Sequence, residues 1–146
     1  MGTRAVYSFK DAYHNFHVYK HWDGYEEGAA EFLANAFPYA WGGTRFEAMD
    51  FAAAFVAGNK KQGGGDVYFT KSPSHHGDLS FGYQVYQDKK NQLRIRAYKY
   101  GWHADDHKKI RTKFYDDTLD SFIFYYGTQE VAESHSAFIN GKKDGD

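Results

Sequence analysis

His21-Trp22-Asp23-Gly24-Tyr25 gathers an imidazole, a carboxylate and two aromatic rings within five residues. His21 and Asp23 are the side chains of a general acid–base pair or of two metal ligands. The segment runs from a strand-like pattern into a helix-like one. Free backbone N–H groups and the positive end of a helix dipole at such a junction suit an anion. The same residues also read as an Asp-Gly turn that caps the helix, with Trp22 in the core.

His75-His76-Gly77-Asp78 places two imidazoles and a carboxylate in a Ser/Pro/Gly-containing loop. It lacks the i, i+4 helical spacing of a zinc motif, so a solvated loop is the competing reading. His17 and His21 share a strand face, but four residues of extended chain separate them by roughly 13 Å, too far for one ion. A third group is Arg94, Arg96, Tyr98 and Tyr100, which alternate on one side of a strand, as do His17, Tyr19 and His21 on another. Interleaved cations and rings can stack a base and pair its phosphate. They also suit a half-solvated sheet face or a homo-oligomer interface. Gly63-Gly64-Gly65 is followed by Asp66 rather than by Lys-Ser/Thr, so it is not a phosphate loop.

Periodicity supplies the elements that must carry these residues. Alternation predicts strands over 5–9 and 16–22, the second with Phe16, Val18, Lys20 and Trp22 facing the core. Glu26–Phe37 carries acids in its first turn and an apolar stripe of Ala29, Phe32, Leu33, Ala36 and Phe37, which predicts a helix stopped by Pro38. Thr44-Arg45-Phe46-Glu47 has capping-box form and predicts a second helix, ended by Gly58-Asn59. Strands follow over 66–70, 79–88, 93–100 and 110–115, the middle two as a hairpin. Ser121–Tyr126 fits either a strand or a helical turn. A weak helix is expected over 129–139. The fold class is thus α+β: an antiparallel sheet of five or six strands, with two helices inserted after the first hairpin. Residues 1–140 form one domain and 141–146 a disordered tail.

A chain of 146 residues buries a core large enough to need no staple, and without cysteine it has no disulfide, thiol catalysis or Cys-ligated metal. Its formal net charge of −1 gives no global basic field for long nucleic acid. No apolar run approaches the roughly 18 residues of a membrane span, and the N-terminus lacks a signal-peptide pattern, so a cytoplasmic protein is expected. Aromatic residues make up 20% of the chain, with 13 Tyr and 13 Phe. Periodicity assigns Phe16, Trp22, Phe32, Phe37, Phe51, Phe55 and Phe81 to the core. It leaves Tyr19, Tyr86, Tyr98 and Tyr100 on a second face among His and Arg.

Met1-Gly2-Thr3-Arg4 and the later Val18-Tyr19-Lys20-His21-Trp22-Asp23-Gly24-Tyr25 resemble a group of small phage and prophage proteins without an established activity. These open Met-Gly-Thr-Arg and carry His-Trp-Asp-Gly-Tyr-Pro-x-Gly. Glu26 stands where the group has Pro. The resemblance covers the first 30 residues and extends to Gly64-Gly65-Asp66-Val67-Tyr68 and His76-Gly77-Asp78-Leu79. It implies a viral setting in the host cytoplasm, where such proteins act against host defence by binding a protein or a nucleotide signal.

Three functions follow. The first is a binding protein that sequesters a nucleotide-like or other anionic signal, its site lined by Arg4, His21, Asp23, Tyr25, Arg94, Arg96 and Tyr98. The second is an inhibitor that binds a host defence protein through its aromatic sheet face. The third is an acid–base hydrolase or lyase using His21 with Asp23, or His76 with Asp78. No catalytic residue, cofactor or metal ligand is singled out by a motif.

Overall fold

The computed structural model describes residues 3–41, 47–61, 63–102 and 109–145. Six strands form one sheet in the order β3-β2-β1-β4-β5-β6. They are β1 (Ala5–Lys10), β2 (Asn15–Lys20), β3 (Val67–Thr70), β4 (Phe81–Gln87), β5 (Leu93–Trp102) and β6 (Lys109–Thr118). Helices α1 (Glu26–Ala36) and α2 (Ala48–Asn59) lie between β2 and β3; α3 (Leu119–Tyr126) and α4 (Gln129–Gly145) follow β6.

The sheet is mixed, where the sequence suggests an antiparallel one. β1 pairs antiparallel with β2 but parallel with β4, Tyr7 standing opposite both Val18 and Tyr83. Because β3 is antiparallel to β2, β3 and β4 point the same way. The chain between them must therefore return along the sheet and pass over β2 and β1. Residues 71–80 make this return across the sheet face opposite the helices. The His76 ring stacks on Tyr19 at 4.2 Å, and Leu79 packs with Val6 and Tyr19. Alternation alone extends β4 back to Leu79; the strand instead begins at Phe81, because Leu79 belongs to this strap.

The other sheet face carries the main core. Tyr7, Phe9, Val18, Tyr83, Val85, Ile95 and Ala97 point into it and meet Leu33, Phe51, Phe55 and Phe122 from the helices. Ring contacts run Phe55–Tyr7–Tyr83–Phe122 at centroid distances of 4.6, 5.1 and 5.7 Å. Phe37, Phe51 and Phe55 are buried as expected, and Phe32 and Phe81 pack partly buried against the cluster. Phe16 and Trp22 are not core residues; they are 50% and 47% exposed. β2 ends at Lys20, so the alternation that assigns Trp22 inward no longer applies there. Phe16 sits beside the hairpin turn, where burial of β2 fades.

α1 packs very closely at two glycines. A Cβ on Gly28 would overlap the Asp23 carbonyl, and one on Gly58 of α2 would overlap the Asn35 carbonyl. α2 begins at Ala48 with Glu47 as its N-cap, one turn later than a capping box at Thr44 implies. Thr44–Phe46 lie outside the described residues. The 121–126 segment is helical: Thr118 Oγ1 caps it by accepting the Ser121 N–H at 3.1 Å, and Leu119, Phe122 and Ile123 bury one stripe. α4 continues to Gly145, over the segment the sequence marks as a disordered tail.

Two buried tyrosines differ in hydrogen bonding. Tyr83 donates to the Gly24 carbonyl at 2.6 Å, while the Tyr7 hydroxyl has no partner among the described residues. Tyr83→Phe is expected to lower stability by about 1–2 kcal/mol, because it strands a buried carbonyl. Tyr7→Phe is expected to raise it by about 1 kcal/mol, because it removes an unpaired hydroxyl. Urea unfolding of both variants checks the contrast.

Candidate ligand-binding face

On the sheet face away from the helices, register aligns Thr70, His17, Ser8, Gln84, Arg96 and Asp116 in one row across all six strands. Ser8 Oγ and His17 Nδ1 share a 2.6 Å hydrogen bond, and Arg96 Nη1 donates to Gln84 Oε1 at 3.0 Å. Burial lowers the His17 pKa below its ordinary value. The next row holds Lys10, Tyr86, Arg94 and Thr118.

These rows are rich in cations. Asp116 receives Lys113 Nζ at 3.2 Å, Arg96 Nε at 3.5 Å and Arg94 Nη2 at 3.9 Å. Desolvation pushes the Asp116 pKa up, but hydrogen bonds from Lys113 and Tyr86 and the charges of Lys113 and Arg96 bring it below the ordinary value. Asp116 thus serves three cations, and the charge of Asp117 also acts on Arg94. Arg96 lies 4.0 Å above the Tyr86 ring and Arg111 lies 4.1 Å above Tyr98. Lys10 points to the same side with no ion-pair partner among the described residues.

A β-bulge makes this cluster possible. Tyr115 stands opposite Ala97 but Lys113 stands opposite Tyr98, so Phe114 is the extra residue. Phe114 and Tyr115 both turn toward the helices, packing on Tyr126 at 6.0 and 5.4 Å. Lys113 and Asp116 are thereby left on the same side, within reach of each other.

The seven residues singled out from the sequence occupy three places. Arg94, Arg96 and Tyr98 lie on the cationic face just described. Arg4 and His21 meet under the strap: Arg4 pairs with Asp78, Arg4 Nε lies 3.4 Å from His21 Nδ1, and that nitrogen also bonds Tyr19 Oη at 2.9 Å. The Ser80 N–H bonds the Arg4 carbonyl and the Tyr100 N–H bonds the Ser80 carbonyl. Arg96 is thus two strands across and four residues along from Arg4, roughly 16 Å away by strand geometry. Asp23 and Tyr25 sit at the start of α1 on the helical side. Asp23 has a left-handed φ of 58°, which turns the chain so that the Gly24 N–H bonds the Thr3 carbonyl at 2.8 Å. Carboxylates surround this junction. The charge of Asp23 raises the Tyr25 pKa, with burial, Glu27 and Glu31 adding to it.

His76 Nε2 lies 2.9 Å from Thr70 Oγ1, while Asp78 is held by Arg4. Among the described residues, no three His, Asp or Glu side chains converge as a metal site.

Sequence reading does not single out Ser8, Gln84, Lys113 or Asp116. The outward alternation of β1 and β4 carries a signal for the first two. The bulge conceals the last two. Reading also passes over a buried ion pair, Lys20 Nζ to Asp66 Oδ1 at 2.8 Å, with Lys20 4.2 Å above the Phe32 ring. A lysine on the strand face of Val18 is the signal for it, since an ammonium on a core face requires a counter-charge.

Comparison with protein-family models, curated proteins and solved structures finds no match for the chain.

Asp66→Asn leaves Lys20 buried without its counter-ion and is expected to cost about 3–5 kcal/mol. Adding Lys20→Met should recover much of that loss in urea unfolding, because the desolvation penalty leaves with the charge. His17 supplies a pH signature. Its folded pKa lies below its unfolded one, so the unfolded chain takes up the proton more readily. Stability is full above the unfolded pKa, about 6.5, and falls as pH drops through that value toward the folded one. His17→Gln should flatten this part of the stability–pH curve.

Proposed function

We propose that the chain is a small binding protein that holds an anionic, nucleotide-like ligand on the open sheet face. The observation that carries this reading is the cation excess around Asp116. Arg94, Arg96 and Lys113 share this one carboxylate, and the Tyr86 ring lies beneath Arg96. A phosphate would take the charge that Asp116 leaves uncompensated. The neighbouring Tyr98, under Arg111, offers a face for a base. Arg4 and His21 lie toward the strap, engaged with Asp78 and Tyr19, and like Asp23 and Tyr25 they lie outside this site. A phage setting, with the ligand a host defence signal, rests on the sequence resemblance alone. Among the described residues no helix is long and apolar enough to cross a membrane.

A second reading is an inhibitor of a host protein. β3 is an edge strand, and its Tyr68 and Phe69 are 43% and 65% exposed. An edge strand of this kind can add a partner's strand to the sheet.

Calorimetric titration with ATP and with a cyclic dinucleotide separates the two. Saturable binding that weakens with salt is expected for the first reading. Arg96→Ala should weaken it about tenfold, as loss of a charge-assisted hydrogen bond does. Asp116→Asn should strengthen it by about threefold, by freeing the three cations. Equal affinity of wild type and Arg96→Ala, or no binding at millimolar ligand, would sink the anion-site reading. Recovery of a host protein lost on Phe69→Lys would then favour the second.

A further inference from the structure

The sheet ends at β3 on one side and at β6 on the other. β3 has 4 residues and β6 has 10, so β6 is the long edge, roughly 33 Å of extended chain. Its outer row of backbone N–H and C=O groups has no backbone partner among the described residues. Such a row is a template for another strand. Ile110, Arg111, Thr112, Lys113, Asp116 and Asp117 along it are exposed, so α3, which packs on the helical side, leaves the edge open.

Charge is divided along this edge. Arg111 and Lys113 stand in its first half, and Asp116 and Asp117 in its second. A strand with a basic half and an acidic half is complementary to itself when it is turned end for end. Two-fold symmetry brings about that antiparallel arrangement, because each copy then offers the same patch to the other.

The bulge supplies an independent fit. Arg111 and Lys113 are opposite Tyr100 and Tyr98, and Asp116 is opposite Arg96, so all three lie on the open sheet face. In a regular strand, residues five apart lie on opposite faces. The extra residue, Phe114, returns Asp116 to the face of Arg111. A two-fold axis between Lys113 and Phe114 therefore sets Arg111 opposite the partner's Asp116, both on the open face. It also sets Thr112 opposite the partner's Tyr115, both on the helical side. Beside this edge on the helical side, Tyr125 is 73% exposed and 6.0 Å from the Tyr115 ring, and Ile110 is 42% exposed. A paired strand would cover part of this apolar area.

We propose that β6 pairs antiparallel with β6 of a second copy of this chain, joining two six-stranded sheets into one across the bulge. The pairing uses the edge of the sheet and leaves its open face to solvent, so it does not depend on the anion reading.

Sedimentation velocity at low salt, without ligand, from micromolar to near-millimolar protein, tests this. A monomer–dimer equilibrium that weakens with salt is expected. Arg111→Glu sets acid against acid at two symmetric places and should weaken the dimer by about tenfold or more. Arg111 is exposed, so an unchanged melting temperature at low concentration would certify the fold. Asp116→Arg should be impaired in the same way, and an equal mixture of the two variants should recover a heterodimer. Amide exchange along 110–118 should slow as the protein is concentrated, while that of β3 stays the same; this measurement decides even where Asp116→Arg does not fold. A wild-type chain that stays monomeric near millimolar concentration overturns the proposal and makes the charges and bulge a guard of the edge. So does a dimer indifferent to Arg111→Glu, or one that protects β3 instead of β6.

Discussion

β1 is bonded on one side to β2 in antiparallel register and on the other to β4 in parallel register. Most of the molecule's layout follows from that pairing. A parallel neighbour cannot be reached by a tight turn, so the chain leaving β3 has to cross the sheet. The helices already occupy one face, which leaves only the other for the crossing. The ten residues of the strap therefore cover the outer side of β1 and β2. Their Leu79, with Val6 and Tyr19, forms a small second core there. The strap reaches β5 only at Tyr100, which donates its N–H to the Ser80 carbonyl and packs on the small core; the cationic rows are concentrated farther along β5 and on β6. The same pairing thus decides which aromatics of the outer face are covered and which are presented to solvent.

The inner face answers to volume rather than charge. Four large rings from β1, β4, α2 and α3 are in contact through Tyr7 and Tyr83. The Tyr83 hydroxyl reaches the Gly24 carbonyl and fixes the β2–α1 turn to the centre of the sheet. Glycine at position 24 is required at that approach, since a Cβ would stand 2.7 Å from the Ala5 Cβ. The turn that carries His21, Trp22 and Asp23 is therefore set by the core, and Trp22 projects outward as a consequence.

Local patterns in the sequence reveal the strands and helices because each element alternates, or repeats at helical spacing, within itself. Phe51 and Phe55 are legible as core for that reason. Strand direction is not local: a hairpin and a crossover look alike where the linking segment is a short Gly/Ser/Pro loop, as at 71–80. The bulge at Phe114 is equally hidden, since it exists only relative to β5, and without it Asp116 would fall on the opposite side from Lys113. Thr118 decides between strand and helix for 121–126 by capping, a contact invisible to hydrophobic periodicity. Among the candidate residues, Arg94, Arg96 and Tyr98 are legible together because they share one strand. Asp23 and Arg4 are separated from them by topology, which no spacing reveals.

A formal net charge of −1 describes neither surface of this molecule. Arg94, Arg96 and Lys113 converge on Asp116 on the sheet face, while Asp23, Glu27, Glu31 and Glu130 line concavities on the helical side. The two sets are held apart by the sheet, the aromatic core and the helix layer. Solvent-exposed charges of the two sets are screened from each other over about 10 Å of solution at 0.1 M salt. Segregation of this kind arises because strand alternation places a basic outward row on β5, and helix periodicity places acids on the outer side of α1. Near-neutrality in composition is the sum of two oppositely charged faces, and each face, rather than their sum, governs what approaches it.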